Sequence, residues 1–184
     1  YAYAKYELAH QCSGQKNFPI TIVWLTSSGI DGFNYKNDPE KNKLFAQRFS
    51  YVNQLLIARM FSYKLSLQLS PTWIHRNMTQ YKEMKNDLFA IGVGGRYKIT
   101  NTFSINFEYY KTIGNEDISE RNISFFDPIS LGIDIQVSGH VFQIMITNAS
   151  KMIESSFLTD TREDFFSKGI RIGFNISQVF TIKK

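Results

Sequence analysis

A single cysteine, Cys12, in 184 residues excludes an intramolecular disulfide framework and any metal site built from several thiolates. Apolar residues never run to the ~18 that a membrane-spanning helix needs, so a helical membrane protein is excluded as well. Charge of one sign is not concentrated anywhere. Lysine and arginine number 21 against 16 acids, yet apart from Lys183–Lys184 they are scattered, and the stretch 31–43 holds three acids and three lysines. A nucleic-acid footprint needs basic residues gathered on one face, so no nucleic-acid partner is expected. The chain starts at Tyr1 with neither methionine nor a leader pattern, as a mature protein or one whose beginning is missing would. Its length suits one ordinary domain or one sheet closed into a barrel.

What the chain has in quantity is alternation with a period of two. Phe89, Ile91, Val93, Gly95, Tyr97 and Ile99 alternate with Ala90, Gly92, Gly94, Arg96 and Lys98. Phe103, Ile105, Phe107 and Tyr109 alternate with Ser104, Asn106 and Glu108, and Ile129, Leu131, Ile133, Ile135 and Val137 with Ser130, Gly132, Asp134 and Gln136. Ile170, Ile172, Phe174 and Ile176 repeat the pattern, as do Leu65, Leu67 and Leu69, and Phe18 to Leu25 more weakly. These segments predict strands at 18–28, 45–61, 65–77, 87–99, 103–113, 128–137, 140–149 and 170–182, with a possible ninth at 1–10. Short connections (62–64, 100–102, 138–139) alternate with long ones (30–44, 78–86, 114–127, 150–169). All short turns then fall at one end, which is an antiparallel up-and-down meander. Closure into a barrel would remove its edges.

The composition of the two faces separates a membrane barrel from a soluble one. A soluble barrel turns its polar face to water, and such faces usually carry much Lys, Glu and Thr. Here the polar face is mostly Gly, Ser, Asn and Gln, which suits a crowded lumen, while the other face is bulky enough for a lipid-facing belt. Aromatic residues fall near strand ends (Phe61, Tyr63, Trp73, Tyr97, Phe103, Tyr109, Phe180), where interfacial girdles form. The expectation is an all-β, antiparallel up-and-down transmembrane β-barrel: a single domain over 1–184 in the outer membrane of a Gram-negative cell, bounded by its lipids. Because short turns are periplasmic in such barrels, the long loops would be extracellular and the C-terminus periplasmic. With both termini of a barrel on the periplasmic side, eight or nine strands in this chain imply ten to twelve in the full protein.

The blocks Phe49-Ser50-Tyr51-Val52-Asn53-Gln54-Leu55-Leu56-Ile57-Ala58-Arg59, Gly92-Val93-Gly94-Gly95-Arg96-Tyr97-Lys98 and Gly139-His140-Val141-Phe142-Gln143 resemble a family of Bacteroidota-type outer-membrane β-barrels of unknown function. Thr147-Asn148 and Gly173-Phe174-Asn175-Ile176 fit the same pattern, so the resemblance covers roughly 45–182. Its members are usually longer at the N-terminus. The closing Val179-Phe180-Thr181-Ile182 is similar to the aromatic-bearing last strand of outer-membrane proteins, with Phe180 four residues short of the end. The resemblance implies a fold and a location, and no catalytic residue or cofactor.

The remaining motifs read blandly. Gly92-Val93-Gly94-Gly95 lies inside a strand, not between strand and helix, so it fails as a phosphate loop and reads as small residues in a tight lumen. His75 and His140 fall at opposite strand ends, roughly 30 Å apart at ~3.3 Å per residue, too far for a shared site. No catalytic residue and no metal ligand are expected, and the protein is expected not to be an enzyme. Pro71, mid-strand, predicts a bulge or bend. Arg96, Glu108 and Asp134 should point into the lumen near the short turns as an ion-pair network. Arg48, Arg76 and Arg171 should point inward near the long loops as a basic outer mouth. The long loops carry Phe33, Tyr35, Tyr81, Phe125, Phe126, Phe157, Phe165 and Phe166, either folded over the mouth or presented to other outer-membrane proteins. Two functions follow: a non-enzymatic accessory or structural subunit of an outer-membrane assembly, or a barrel that transports or binds a small solute.

Overall fold

A computed structural model of the protein describes residues 1–14, 17–30, 45–81, 83–167 and 169–178. Nine strands run in sequence order: β1 (Ala2–Ala9), β2 (Thr21–Ile30), β3 (Phe49–Met60), β4 (Leu65–Arg76), β5 (Asp87–Lys98), β6 (Phe103–Ile113), β7 (Ile129–Val137), β8 (His140–Thr147) and β9 (Arg171–Gln178). Each pairs antiparallel with the next, in the order β1 to β9. The weakly patterned 1–10 segment is therefore a strand, paired with β2 from Ala2↔Ser28 onward. The expected bounds shift most at three places. Residues Phe45–Arg48 form a 3-10 turn before β3, Phe18 lies outside β2 in a bridge to Cys12, and 179–182 are outside the described residues.

Register follows face matching. Ile135 opposes Phe142, Asp134 opposes Gln143, and Arg96 opposes Asn106. The β7–β8 hairpin turns on Ser138 and Gly139, whose φ of 47° and 82° define the left-handed pair that a two-residue turn needs to match strand twist. Pro71 makes no bulge. Gln54↔Thr72 and Ile57↔Leu69 keep the same register, and pairing simply lapses between them on the β3 side, where proline has no N–H to offer. On the β5 side Pro71 stays opposite Ile91.

The alternating faces are sorted as a membrane barrel requires. Phe89 (56% exposed), Ile91, Ile105, Phe107 and Ile133 (50%) all stand on the open outer face, whereas Ala90, Ser104, Asp134 and Leu88 are buried within. In water such an outer face would be an aggregation surface, and in lipid it is solvated. Aromatic side chains mark both rims of the apolar band. At the long-loop end Tyr51, His75 and Trp73 lie in a row, with successive ring centroids 6.5 and 6.1 Å apart. At the short-turn end Lys98 lies 4.6 Å over the Tyr63 ring and Arg59 4.9 Å over Phe61, each cation held at headgroup depth.

The sheet curls so far that β3, β4, β5, β6, β7 and β8 all line one interior cavity. Close packing inside is made possible by glycine at two positions. The Tyr110 ring lies flat across its ladder partner Gly92, where an added Cβ would come within 2.2 Å of it, and the Asn106 side chain occupies the space over its partner Gly132. Tyr110 then reaches across the interior to accept a 3.2 Å hydrogen bond from Gln54 on β3. Gly92→Val is expected to lower the unfolding free energy in detergent by about 1–3 kcal/mol through overpacking against Tyr110. The double variant Gly92→Val/Tyr110→Ala should recover part of that loss. Equal destabilisation by single and double variants in urea titrations would contradict the contact.

Candidate functional site

The interior is built in three storeys. Nearest the short turns it is polar. Asp134 accepts hydrogen bonds from Asn106 (2.7 Å) and Gln143 (2.8 Å), one strand to either side, and Nε of Arg96 lies 3.5 Å from its other carboxylate oxygen. That Arg96 nitrogen is buried and makes no hydrogen bond, so the pair is held by charge rather than by an aligned N–H. Glu108 does not join them. Its ladder partners are Gly94 and Ser130, one inward layer toward the long loops from the Arg96–Asn106 layer, whereas Asp134 lies one layer toward the short turns. Arg96 can turn to only one of them. Among the described residues Glu108 has no ion-pair partner, and it borders a cavity of about 380 Å³ shared with Gln68, Gly94, Arg96 and Gln143.

The middle storey is apolar. Val52, Ile74, Leu88, Ala90 and Tyr110 sit at inward positions of β3 to β6 and form one buried cluster with Leu158, from the long 148–170 connection. Leu158, 1% exposed, follows the single-turn helix α1 (Glu154–Phe157), and the Phe157 ring meets Tyr110 edge-on at 5.5 Å. The connection is therefore a plug. Its backbone is fastened to the wall by side chains. Thr112 donates to Leu158 O (3.0 Å) and Asn115 to Thr159 O (3.1 Å). Asn148, buried at 1% exposure, receives the Ile129 amide (2.8 Å) and donates to Asp127 O (3.0 Å) and Glu163 O (2.9 Å). Within the plug, Thr159 and Thr161 donate to the carbonyls of Ser155 and Phe157, both at 2.7 Å. These plug carbonyls and threonine hydroxyls thus have partners, as burial demands.

The upper storey is a chamber of about 570 Å³ between the plug and the walls of β2, β3 and β4. Arg48 and Arg76 line it together with Lys151 and Arg162. Arg171 does not. It pairs with Glu163 at 3.9 Å and borders a separate space of about 330 Å³ on the Phe157 side of the plug, because β9 is on the far side of α1 from β3 and β4. The basic group expected at the mouth thus loses Arg171 and gains two plug cations. Asp160 holds both of these, Lys151 at 2.5 Å and Arg162 at 2.6 Å, and Arg162 donates further to Gln80 (2.8 Å).

The loop aromatics divide. Phe157 and Phe165 pack inward, Tyr81 stacks beneath Arg121, Phe166 is 84% exposed, and Phe33 and Tyr35 lie outside the described residues. The plug residues escaped sequence reasoning, although a signal was present: Val52, Ile74 and Leu88 interrupt the polar face of three consecutive strands on one rung of the ladder, with Ala90 and Tyr110 one and two inward layers nearer the short turns. No cluster of histidine, cysteine and acids able to hold a metal occurs among the described residues.

An up-and-down antiparallel sheet, apolar outside and polar or plugged inside, defines a transmembrane β-barrel. The chain belongs to the family described as a membrane bound beta barrel domain (DUF5777), whose family model matches residues 1–180 and whose function is unknown. The match reaches further toward the N-terminus than the 45–182 resemblance. No curated protein and no solved structure matches the chain.

Asp134→Ala removes three partners and Arg96→Ala only one. The first is expected to cost about 2–3 kcal/mol and the second about 1 kcal/mol, since Arg96 is partly wetted by the cavity. Urea unfolding followed by tryptophan fluorescence checks the order, and Arg96→Ala proving the more damaging would contradict the assignment.

Proposed function

We propose that this chain is an outer-membrane barrel of a Bacteroidota-type Gram-negative bacterium, acting as a non-enzymatic accessory or structural subunit of an outer-membrane assembly. The long loops and the plug face outward, and the short turns and C-terminus face the periplasm. The observation that carries this reading is the plug: Leu158 packs into the apolar storey and Asn148 ties the connection to β7, so that the interior at that level is occupied by protein. The alternation of short and long connections supports the orientation. Exposed loop aromatics such as Phe126 and Phe166 supply surface for contact with other outer-membrane proteins.

A second reading, binding or transport of a small solute, is favoured by one observation. The cavities above and below the plug are lined in part by polar and charged side chains, and Glu108 in the lower one is not committed to a cation among the described residues. Planar-bilayer recordings and mild-detergent purification separate the two. A silent wild-type barrel that leaves the membrane with a stoichiometric partner meets the first reading. Steady conductance from the wild type contradicts it. Leu158→Ala/Asn148→Ala should produce flickering openings in an otherwise folded barrel, because it removes both the apolar stopper and its tether.

A further inference from the structure

We propose that the interior between β6 and β9 is a binding site for a small organic amine, an ammonium group on an apolar body, with Glu108 as the residue that receives the ammonium. The inference deepens the solute-binding reading, on which it rests, by giving that reading a site and a class of ligand.

Glu108 stands where two spaces meet. The lower cavity and the space of about 330 Å³ beside Phe157 share Glu108, Ser130 and Met145 in their walls. Leu158 packs against β3 to β6, and the second space lies against β6 to β9. Charge around the two spaces is matched except at Glu108. Arg96 lies 3.5 Å from Asp134, Lys151 2.5 Å from Asp160 and Arg171 3.9 Å from Glu163. Among the described residues these are the cations that border the two spaces, and each has its carboxylate, Asp160 being shared with Arg162. Glu108, Ser130, Thr147 and Arg171 follow one another across one rung of the ladder. At about 4.8 Å per strand the backbones of Glu108 and Arg171 are roughly 14 Å apart along the sheet, and Arg171 turns to Glu163 instead. Glu108 is the acid left over. A carboxylate in a confined lumen is stabilised by a cation brought to it.

The surroundings suit an organic cation rather than a metal ion. Among the described residues no cluster of acids, histidines and cysteines joins Glu108 that could hold a metal, and a divalent cation needs several oxygen ligands. The rings of Tyr110 and Phe157 and the thioethers of Met145 and Met152 border the space beside Phe157, together with Pro128 and Ile129. Aromatic faces attract a cation, and the thioethers adapt to an apolar body. Ser130, the ladder partner of Glu108, brings a hydroxyl to the same wall as a further acceptor for the three N–H groups of an ammonium. A volume of about 330 Å³ lies at the small end of ligand sites, which limits the body to one ring or a short chain.

Isothermal titration of the full chain with benzylamine tests the site, in dodecyl maltoside micelles, which carry neither amine nor charge. Benzyl alcohol and benzoate are the neutral and anionic controls. Saturable binding of benzylamine and of neither control is expected, weakening as salt is raised. Glu108→Gln should weaken it about tenfold and Phe157→Leu about threefold. Glu108→Gln should also melt no lower than the wild type, since it takes an unpaired carboxylate out of the lumen. Heat-modifiable gel mobility confirms that each barrel is folded. Unchanged affinity in folded Glu108→Gln, a fall in its melting temperature, or equal binding of benzyl alcohol would overturn the site. Absence of benzylamine binding by the wild type overturns it too. If benzoate binds instead, or the chain conducts in planar bilayers, the solute reading survives that failure; if neither occurs, both fall.

Discussion

In hydrocarbon a backbone N–H or C=O has no water to turn to, and leaving one unpaired costs several kcal/mol. A chain made of strands can meet that demand only through an unbroken ladder from neighbour to neighbour. The nine strands form such a ladder in sequence order, with β1 and β9 at its two ends each paired on one side only among the described residues, and even Pro71, which cannot donate, is placed so that the lapse falls on one side of β4 while the other side stays in register. Once the ladder is set, alternation leaves one side chain in two for lipid and one for the interior. The outer half needs only to be bulky and apolar. The inner half carries whatever distinguishes this barrel from another.

The inner half is spent on filling. Near the short turns Asp134 gathers Asn106, Gln143 and Arg96, so the walls there are joined by hydrogen bonds and charge rather than by packing. Higher up, five inward apolar side chains receive Leu158, and filling is by packing. The two methods are matched to what the chain brings to each level. At the lower level the walls meet one another beside a remaining cavity, and the middle level is filled by a segment that arrives from outside the sheet and must bring its own backbone polar groups. Thr112, Asn115 and Asn148 satisfy some of those groups, and the threonines of the plug satisfy others, which is why so many short polar side chains are buried beside an apolar cluster.

Strand order, face and register were readable because each depends on residues two apart or on a short turn. The Ile135–Phe142 and Arg96–Asn106 pairs follow from turn length and alternation alone. The charges were only half readable. A period of two says that Arg96, Glu108 and Asp134 point inward, but which two meet depends on the stagger between strands, which sets Glu108 one layer off. Arg171 was misplaced with Arg48 and Arg76 for a similar reason: a shared height says nothing about which side of the plug a residue occupies. The plug itself is a long-range contact between residue 158 and positions 52 to 110. Its trace in the sequence is the interruption of the polar face by Val52, Ile74, Leu88 and Tyr110, visible only when neighbouring strands are compared in register.

The 154–161 segment is a buried part of the barrel and not a loop lying over it. Amide hydrogen exchange of the wild-type chain in lipid nanodiscs tests this directly. The amides of Leu158 and Asp160, bonded to the carbonyls of Glu154 and Ser156, should exchange slowly, in the manner of the adjoining strands. Complete exchange of this segment within seconds, while β3 to β6 remain protected, would contradict the account.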